Sequence, residues 1–473
     1  MIPLTLKEIA QATGGRLHNA TGHETVTGSV EFDSRQVGPG GLFIAMPGER
    51  VGGHDFAATA VEQGAVGVLA AREVPAPAVI VPPVTDGHVR SVALVGDTDG
   101  SGAAVLAGLA ALARAVVDRL PNLTVVGVTG SSGKTSTKDL ITALIAPHRS
   151  VASNPRNYNT EIGLPLAILG APLGTQVMVL EMGMRGFGQI AELAAIAEPD
   201  VGVITNIGPV HLEQMGSLEG VAKAKAELLE GLYDGATAIV PSDEPLLEPW
   251  LREALKVVTF GPGGDVTFEG SSLRGGAVPD AVPSSHVVIA GGERIELELP
   301  FDQAHNLMNT LAAVAAARAV GVTPGGRVDV RFSGLRGERV LLGTGATIIN
   351  DCYNANPLSM RAALDDLATH ETAGRRLAVL GDMLELGPAE DDHHRDVGAY
   401  AATAGVDVLV TVGARAAKML DTFDGESYAV GTAKEAAALT GDLIAPGDVL
   451  LVKGSRGVGL EVVAEALSEA EGG

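Results

Sequence analysis

The chain has 473 residues, 46% of them hydrophobic, which at roughly 150 residues per domain predicts about three domains with several cores. With 33 Lys and Arg against 57 Asp and Glu the net charge is −24; this excludes broad neutralisation of nucleic-acid phosphates and leaves only small anions held by local amides and a few cations. A single cysteine, Cys352, excludes an intrachain disulfide, and Lys7 and Glu8 precede any signal-like apolar run, so a cytoplasmic protein is expected.

Residues 1–96 mix short strands and loops, with helical stretches at Leu6–Thr13 and Phe56–Gln63 and an extended, proline-rich run at Pro75–Pro83. Ser101 to Leu120 carries Arg114, Asp118 and Arg119 and reads as an amphipathic hinge helix leading into a second domain, not a membrane span. From Leu123 the pattern is strand, turn, helix. Strands are predicted at Thr124–Val128, Val177–Leu180, Val201–Thr205 and Ala238–Val240, with helices at Thr135–Ile145, Gln189–Ala197 and Leu218–Leu232. Such alternation predicts a parallel sheet covered on both faces. Gly261–Pro300 breaks the rhythm and alternates like antiparallel hairpins; helix Ala304–Val320 ends at Gly321 with Pro324 beyond, which marks a border. The last segment resumes the rhythm with strands at Thr347–Asn350, Leu377–Leu380, Val408–Val412 and Val449–Val452 and helices such as Ser359–Leu367 and Lys434–Leu439. The expectation is an α/β protein of three domains: a small mixed α/β domain (1–96), a central P-loop mononucleotide-binding parallel sheet (97–324) and a Rossmann-like C-terminal domain (325–473).

Gly127-Val-Thr129-Gly130-Ser131-Ser132-Gly133-Lys134-Thr135 runs from a strand into a helix. Glycines let the backbone curl so that several amides face one phosphate chain, and the helix start adds positive potential. Lys134 would reach the β/γ phosphates and Thr135 a Mg²⁺ ion. The spacing departs from the strict Walker form because Val stands at 128; the plain alternative is a tight turn with a chance lysine.

Ligands of open α/β sheets sit beyond the carboxyl ends of the strands. Glu181 follows one strand, Asn206 and His211 another, and Lys223 and Lys225 sit early in the next helix. A carboxylate and an imidazole beside a triphosphate suit metal binding. Each has a dull alternative: a solvated strand end, a loop histidine, solvated helix charges. Their common placement favours the ligand reading.

The chain resembles the Mur ligase family, ATP-dependent amide ligases of peptidoglycan precursor synthesis. The resemblance is carried by Asp33-Ser34-Arg35, Gly41–Gly48, Gly130–Thr135, Asn157-Tyr158-Asn159-Thr160-Glu161-Ile162-Gly163, Glu181-Met182-Gly183, Asn206–His211, Ala222–Lys225, His305-Asn306-Leu307-Met308-Asn309, Arg336, Asp351–Pro357, Gly381–Gly387, His394 and Lys453–Arg456. Gly53 before His54, where Asp is common, and Thr160, where a second Asn is common, depart from the pattern on the substrate side.

The resemblance implies that ATP phosphorylates a carboxylate to an acyl phosphate, which an amine then attacks. It implies Lys134, His211 and Lys225 as catalytic residues. Thr135 and Glu181 would hold one Mg²⁺, and His211 with a carbamylated Lys225 the second; an unmodified Lys225 binding phosphate directly is the alternative. Gly130, Ser131, Ser132, Gly133, Lys134, Thr135, Asn306, Asn309, Arg336 and Asp351 would bind ATP, the two asparagines reading adenine from one helix face. Ser34 and Arg35 would hold the UDP end, although Asp-Ser-Arg alone is more often a loop salt bridge. Asn157, Asn159, Tyr353, Asn354, His394 and Lys453 fall to the substrates, with Lys453 on phosphate or the intermediate. Domain closure would exclude water from the acyl phosphate. The Asp351–Pro357 and Gly381–Gly387 stretches most resemble the branch that couples D-Ala-D-Ala to UDP-MurNAc-tripeptide, with no nucleic-acid or membrane partner and a site that one chain completes, so a monomer is expected. The rivals are a sister ligase adding the third amino acid, a folyl-polyglutamate synthetase, a non-catalytic precursor-binding module and a mechanical P-loop ATPase.

Overall fold

A computed structural model describes residues 1–47, 52–84, 94, 97–155, 157–270 and 284–469. Gly48 of the early glycine-bounded stretch, part of the predicted hairpin region (271–283) and position 96 at the first border lie outside the described residues.

The first sheet orders its strands Arg16–His18, Ala78–Ile80, Ala65–Ala70, Gly41–Ile44 and Val30–Glu31, parallel except for the first pair. Helix Leu6–Thr13 forms as predicted, closed at its start by a capping box between Thr5 and Glu8 and at its end by Gly14 in the left-handed region. The second predicted helix is a 3₁₀ turn, Gly53–Phe56, running into helix Ala57–Glu62.

Helix Ser101–Arg119 is not a free hinge. Ten of its residues are buried, and it packs on helices Leu6–Thr13, Gly163–Leu169 and Gln189–Ala197. Its Ala, Leu and Gly residues are apolar on most faces, so it can be covered from both sides. One hydrophobic core therefore runs from Ile2 to Leu255 and joins the first domain to the second. It is long and apolar enough to cross a membrane, but most of that window is covered by protein.

The central sheet runs Gly326–Arg327, Glu293–Leu299, Ser284–Ala290, Val266–Phe268, Lys256–Phe260, Thr237–Pro241, Val201–Ile204, Thr124–Thr129, Val177–Glu181 and Val151–Ser153. It is parallel from Val151 to Val266 and antiparallel through the hairpin 284–299. Thr124–Thr129 lies between Val177–Glu181 and Val201–Ile204. The three strand ends that matter for chemistry are thus neighbours, although 124, 177 and 201 are far apart in sequence. Lys223 and Lys225 sit in the middle of helix Leu218–Glu230, not early in it.

The C-terminal sheet orders Glu338–Leu341, Thr347–Asn350, Val449–Lys453, Arg376–Gly381, Val408–Val412 and Glu426–Val430, parallel except for the first pair. Separate hydrophobic clusters cover its two faces. Leu112 on helix Ser101–Arg119 is fully buried in the shared core. Leu112→Ala should destabilise the chain by about 2–5 kcal/mol, read as a lower urea midpoint by circular dichroism; an unchanged midpoint would show that the helix is not a joint core element.

Candidate active site

A cleft of about 990 Å³ opens beyond the carboxyl ends of the central strands. The middle domain lines it with Ser131, Ser132, Gly133, Lys134, Thr135, Asn157, Asn159, Glu181, His211, Asn306 and Asn309. The C-terminal domain lines it with Arg336, Asp351, Tyr353, Asn354 and Lys453.

The glycine loop is shaped from outside. Gly130 and Gly133 have φ of +150° and +76°. A Cβ on Gly130 would lie 1.8 Å from Thr205 Oγ1, and one on Gly133 2.5 Å from Asn309 Oδ1. Both positions therefore need glycine for space as well as for conformation. Ser132 N donates to Asn206 Oδ1 at 2.9 Å, and Asn206 Nδ2 donates back to Ser132 O at 3.1 Å. Ser131 Oγ donates to Gly208 O at 3.0 Å and accepts from Gly208 N at 2.8 Å. Lys134 Nζ donates to Gly130 O at 2.8 Å. Desolvation pulls its ammonium below the ordinary lysine value, against the attraction of Glu181. Helix Lys134–Ile145 starts without a side-chain cap, so its first amides remain for an anion.

Thr135 Oγ1 donates to Glu181 Oε2 at 2.7 Å, and Asn159 Nδ2 donates to Glu181 Oε1 at 2.7 Å. Asn154, fully buried, holds the Glu181 backbone from both sides: its Oδ1 accepts from Glu181 N and its Nδ2 donates to Glu181 O, each at 2.9 Å. Lys138 Nζ in turn donates to Asn154 O at 2.9 Å. Sequence reasoning missed both; the one signal was a lysine four residues after Lys134 on a largely apolar face. Among the described residues no group of three or more His, Cys, Asp or Glu could hold a metal. Thr135 and Glu181 instead bring hydroxyl and carboxylate oxygens together, a hard donor set that fits Mg²⁺.

His211 has φ +52°. Its Nδ1 pairs with Glu385 of the C-terminal domain. That bond, with the charge of Arg185 behind it, holds the Glu385 carboxyl below its usual range in spite of burial. Lys225 is buried close to Lys134 and is not among the residues that line the cleft, and among the described residues nothing pairs with its amine. Burial, and then the nearby charge of Lys134, push that amine far below its ordinary value.

Asn306 and Asn309 are both buried on one face of helix Ala304–Ala319. Beside them Phe301 and Phe332 pack tilted at 48° with ring centroids 5.4 Å apart; separated by thirty-odd residues, they left no spacing to read. Ser333 N and Oγ donate to Asp139 Oδ2 at 2.9 and 3.1 Å. This anchors the chain just before Arg336, whose guanidinium stands 4.0 Å over the Tyr353 ring and whose Nε is buried without a partner. Asp351 and Lys453, assigned from sequence to separate contacts, are themselves paired at 2.6 Å. Lys453 Nζ also donates to Asn354 O at 3.0 Å, so it fixes the 351–354 loop.

Four expected residues stand off the cleft wall besides Lys225. Gly130 forms the floor of the loop against Thr205. Ser34 and Arg35 belong to the first domain, and Arg35, 85% exposed, forks onto Asp33 at 2.9 and 2.8 Å. The expected placement of His394 on the dipeptide side is corrected: it is fully buried, accepts from Met383 N at 3.0 Å and bonds Glu390 O at 2.6 Å. It props the 381–387 loop from behind, and desolvation lowers its imidazole pKa. His54 does the same for the first sheet, accepting from Ala71 N at 3.0 Å.

A clamped glycine loop, an oxygen pair for a cation and a second α/β domain bringing Arg336 and Lys453 to the same cleft define an ATP-dependent ligase. The chain belongs to the Mur ligase family. Its residues 27–111 match the Mur ligase family catalytic domain, 128–317 the Mur ligase middle domain and 335–456 the Mur ligase glutamate ligase domain. It is 41% identical to the UDP-N-acetylmuramoyl-tripeptide–D-alanyl-D-alanine ligase of Mycobacterium tuberculosis over 99% of this chain and 98% of that protein. The enzyme of the same name from Bacillus subtilis is 37% identical over 99% of each chain. The crystal structure of MurF from Acinetobacter baumannii superposes with a TM-score of 0.85 at 28% identity over 99% of both chains. MurF of Thermotoga maritima in complex with ADP gives 0.76 at 28% identity over 94% of this chain and 98% of that one.

Two outcomes follow from this geometry. Gly133→Ala forces a Cβ onto Asn309 in a strained conformation and should weaken ATP binding at least about tenfold, measured by calorimetry; wild-type affinity would show that the loop is not rigidly set. His394 titrates below its ordinary 6.5 in the folded chain. Between that lowered value and 6.5 the unfolded chain binds more protons, so stability is complete above 6.5 and falls with acidification. His394→Gln should lose less stability than wild type between pH 7.5 and 5.5 in urea titrations; an equal loss would contradict the assignment.

Proposed function

We propose that the chain joins D-Ala-D-Ala to UDP-MurNAc-tripeptide with ATP, giving UDP-MurNAc-pentapeptide, ADP and phosphate. The observation that carries this reading is one cleft in which the glycine loop, the Thr135–Glu181 oxygen pair and Arg336, Asp351 and Lys453 of a separate domain face each other. The curated relatives named for this reaction match nearly the whole chain, the first domain included, which supports it over a folyl-polyglutamate synthetase.

The first step is transfer between two anions. A terminal carboxylate oxygen of the tripeptide attacks the γ-phosphorus, and the bond to ADP breaks. The protein must therefore align two negative groups and offset their repulsion. The uncapped amides at the start of helix Lys134–Ile145 and the Lys134 ammonium hold the phosphates from the middle domain, while Arg336 and Lys453 approach from the C-terminal domain. Asn306 and Asn309, with the Phe301–Phe332 wall, suit adenine. Thr135 and Glu181 would hold one Mg²⁺, and His211 with Lys225 a second. Bound there, Mg²⁺ would supply charge neutralisation between nucleotide and carboxylate. Lys225 fits that role as a carbamate: its buried, unpaired amine favours the neutral form that reacts with CO₂. In the second step the dipeptide amine attacks the acyl carbon, phosphate leaves with the carboxylate oxygen, and the amine proton passes to phosphate or water. Closure of the C-terminal domain keeps water from the acyl phosphate. Ser34 and Arg35 would take the UDP diphosphate, Asn157 and Asn159 the peptide, and Tyr353 and Asn354 the dipeptide side. The domain border 96/97, a monomeric state and a cytoplasmic location belong to the same reading, whereas the border expected at 324/325 falls short of strand Gly326–Arg327, which pairs within the central sheet.

ADP release with UDP-MurNAc-tripeptide and ATP should require D-Ala-D-Ala. UDP-MurNAc-dipeptide with meso-diaminopimelate or L-Lys should give less than about 1% of that rate, a discrimination that binding of distinct charged groups readily supplies. Preference for the latter pair would move the chain to the sister ligase. Lys225→Ala should lower kcat at least about a hundredfold, and a carbamate ¹³C resonance formed from labelled bicarbonate should be present in the wild type and absent in this variant. A variant with normal kcat, or the same signal in both proteins, would remove the carbamate.

A further inference from the structure

The stretch Gly381–Gly387 carried the family resemblance without a role for Glu385. In the fold it lies beyond strand Arg376–Gly381 and reaches across to the middle domain. Glu385 there meets the Nδ1 of His211, a residue 174 positions earlier, at the start of the short helix Leu212–Met215 of the middle domain. Since Nδ1 is spent on the carboxylate, Nε2 is the ring nitrogen left for the cleft that His211 lines with Thr135 and Glu181. An imidazole that binds a metal ordinarily donates its second N–H to a carboxylate, which fixes the tautomer and ring plane and makes the ligating nitrogen more basic.

The contact is built from both sides. His211 and Glu385 both adopt the left-handed region, with φ of +52° and +64°, a conformation that non-glycine residues keep only where the surroundings require it. Glu385 O accepts from Glu213 N at 3.3 Å. Gly387, at φ +68°, packs so closely that a Cβ would stand 3.3 Å from that same Glu213 amide. Arg185 of the middle domain adds a positive charge facing Glu385. Leu384 N is held by Ser455 Oγ at 3.0 Å, so the loop that presents Glu385 is fixed within its own domain. The carboxylate can therefore reach His211 only when the two domains are docked.

We propose that Glu385 is the positioning residue for His211 at the metal site, so that docking of the C-terminal domain completes a ligand set lying on the middle domain. The proposal rests on His211 being a Mg²⁺ ligand and adds where its orienting carboxylate comes from. It makes closure and metal binding reciprocal: if docking tightens metal at His211, metal must tighten docking by the same factor.

The test measures Mn²⁺ binding to the full chain by electron paramagnetic resonance with a non-hydrolysable ATP analogue. It compares wild type, His211→Ala, Glu385→Ala, Glu385→Gln and the double alanine variant. Glu385→Ala should weaken Mn²⁺ about tenfold. Glu385→Gln, which keeps an acceptor but not the charge, should fall between. In the His211→Ala background Glu385→Ala should cause no further loss. Small-angle scattering should show Mn²⁺ with the analogue compacting the wild type more than Glu385→Ala. Unchanged Mn²⁺ affinity in Glu385→Ala, with a loss in His211→Ala, would overturn the proposal alone, as would additive losses in the double variant. Unchanged affinity in His211→Ala would overturn the reading of His211 as a ligand, and the proposal with it.

Discussion

Everything in this cleft depends on a glycine loop whose shape is imposed by its neighbours. A six-residue turn with two glycines at positive φ has no reason to hold one conformation in isolation, because glycine gives up the most freedom on ordering. Here Thr205 and Asn206 close on it from the adjacent strand end and Asn309 from helix Ala304–Ala319. The order of the central strands makes this possible. With Thr124–Thr129 between Val177–Glu181 and Val201–Ile204, the loop, the carboxylate of Glu181 and the clamp of Asn206 emerge side by side. The sheet reads as a device for bringing three distant segments to one edge, and the ligand region at that edge is where such sheets bind.

The second constraint is division of labour between domains. On the proposed reading the middle domain would supply the phosphate seat and the oxygen ligands on rigid strand ends. On the same reading the C-terminal domain, with a separate sheet and its own cores, would add Arg336 from just before its first strand and Lys453, which is held by Asp351. The Ser333–Asp139 bonds fix where the connecting chain leaves the middle domain, so Arg336 begins its own domain close to the cleft. Phosphoryl transfer between anions needs charge in place at the moment of reaction, while substrate entry and product exit need it withdrawn. Placing half of the charge on a separately folded domain meets both needs. The first domain, in contrast, shares its core with the second through helix Ser101–Arg119.

The placement of most cleft residues was legible in the sequence because spacing encodes it. Strand, glycines, Lys134 and Thr135 follow one another, and Asn306 and Asn309 share a helix face. Glu181 was found because strand ends are recognisable. What stayed hidden was tertiary. Asn154 and Lys138 act by gripping backbone from loops and helices that only the fold brings together, and a lone asparagine gives no pattern. The pairing of His211 with Glu385 crosses 174 positions, so no local rule could find it. His394 misled because a motif position says that a residue is used but not on which side of a loop; burial put it behind. Arg35 forks onto Asp33, the loop salt bridge that Asp-Ser-Arg suggests by itself, so its assignment to the UDP end rests on the family resemblance.

On the proposed reading the tripeptide carboxylate is activated by direct phosphorylation inside this cleft. Labelling both oxygens of that carboxylate with ¹⁸O and analysing the products by mass spectrometry tests it most directly. Direct phosphorylation places one ¹⁸O in the released inorganic phosphate and one in the new amide for each turnover. Phosphate carrying no label from the carboxylate would contradict it.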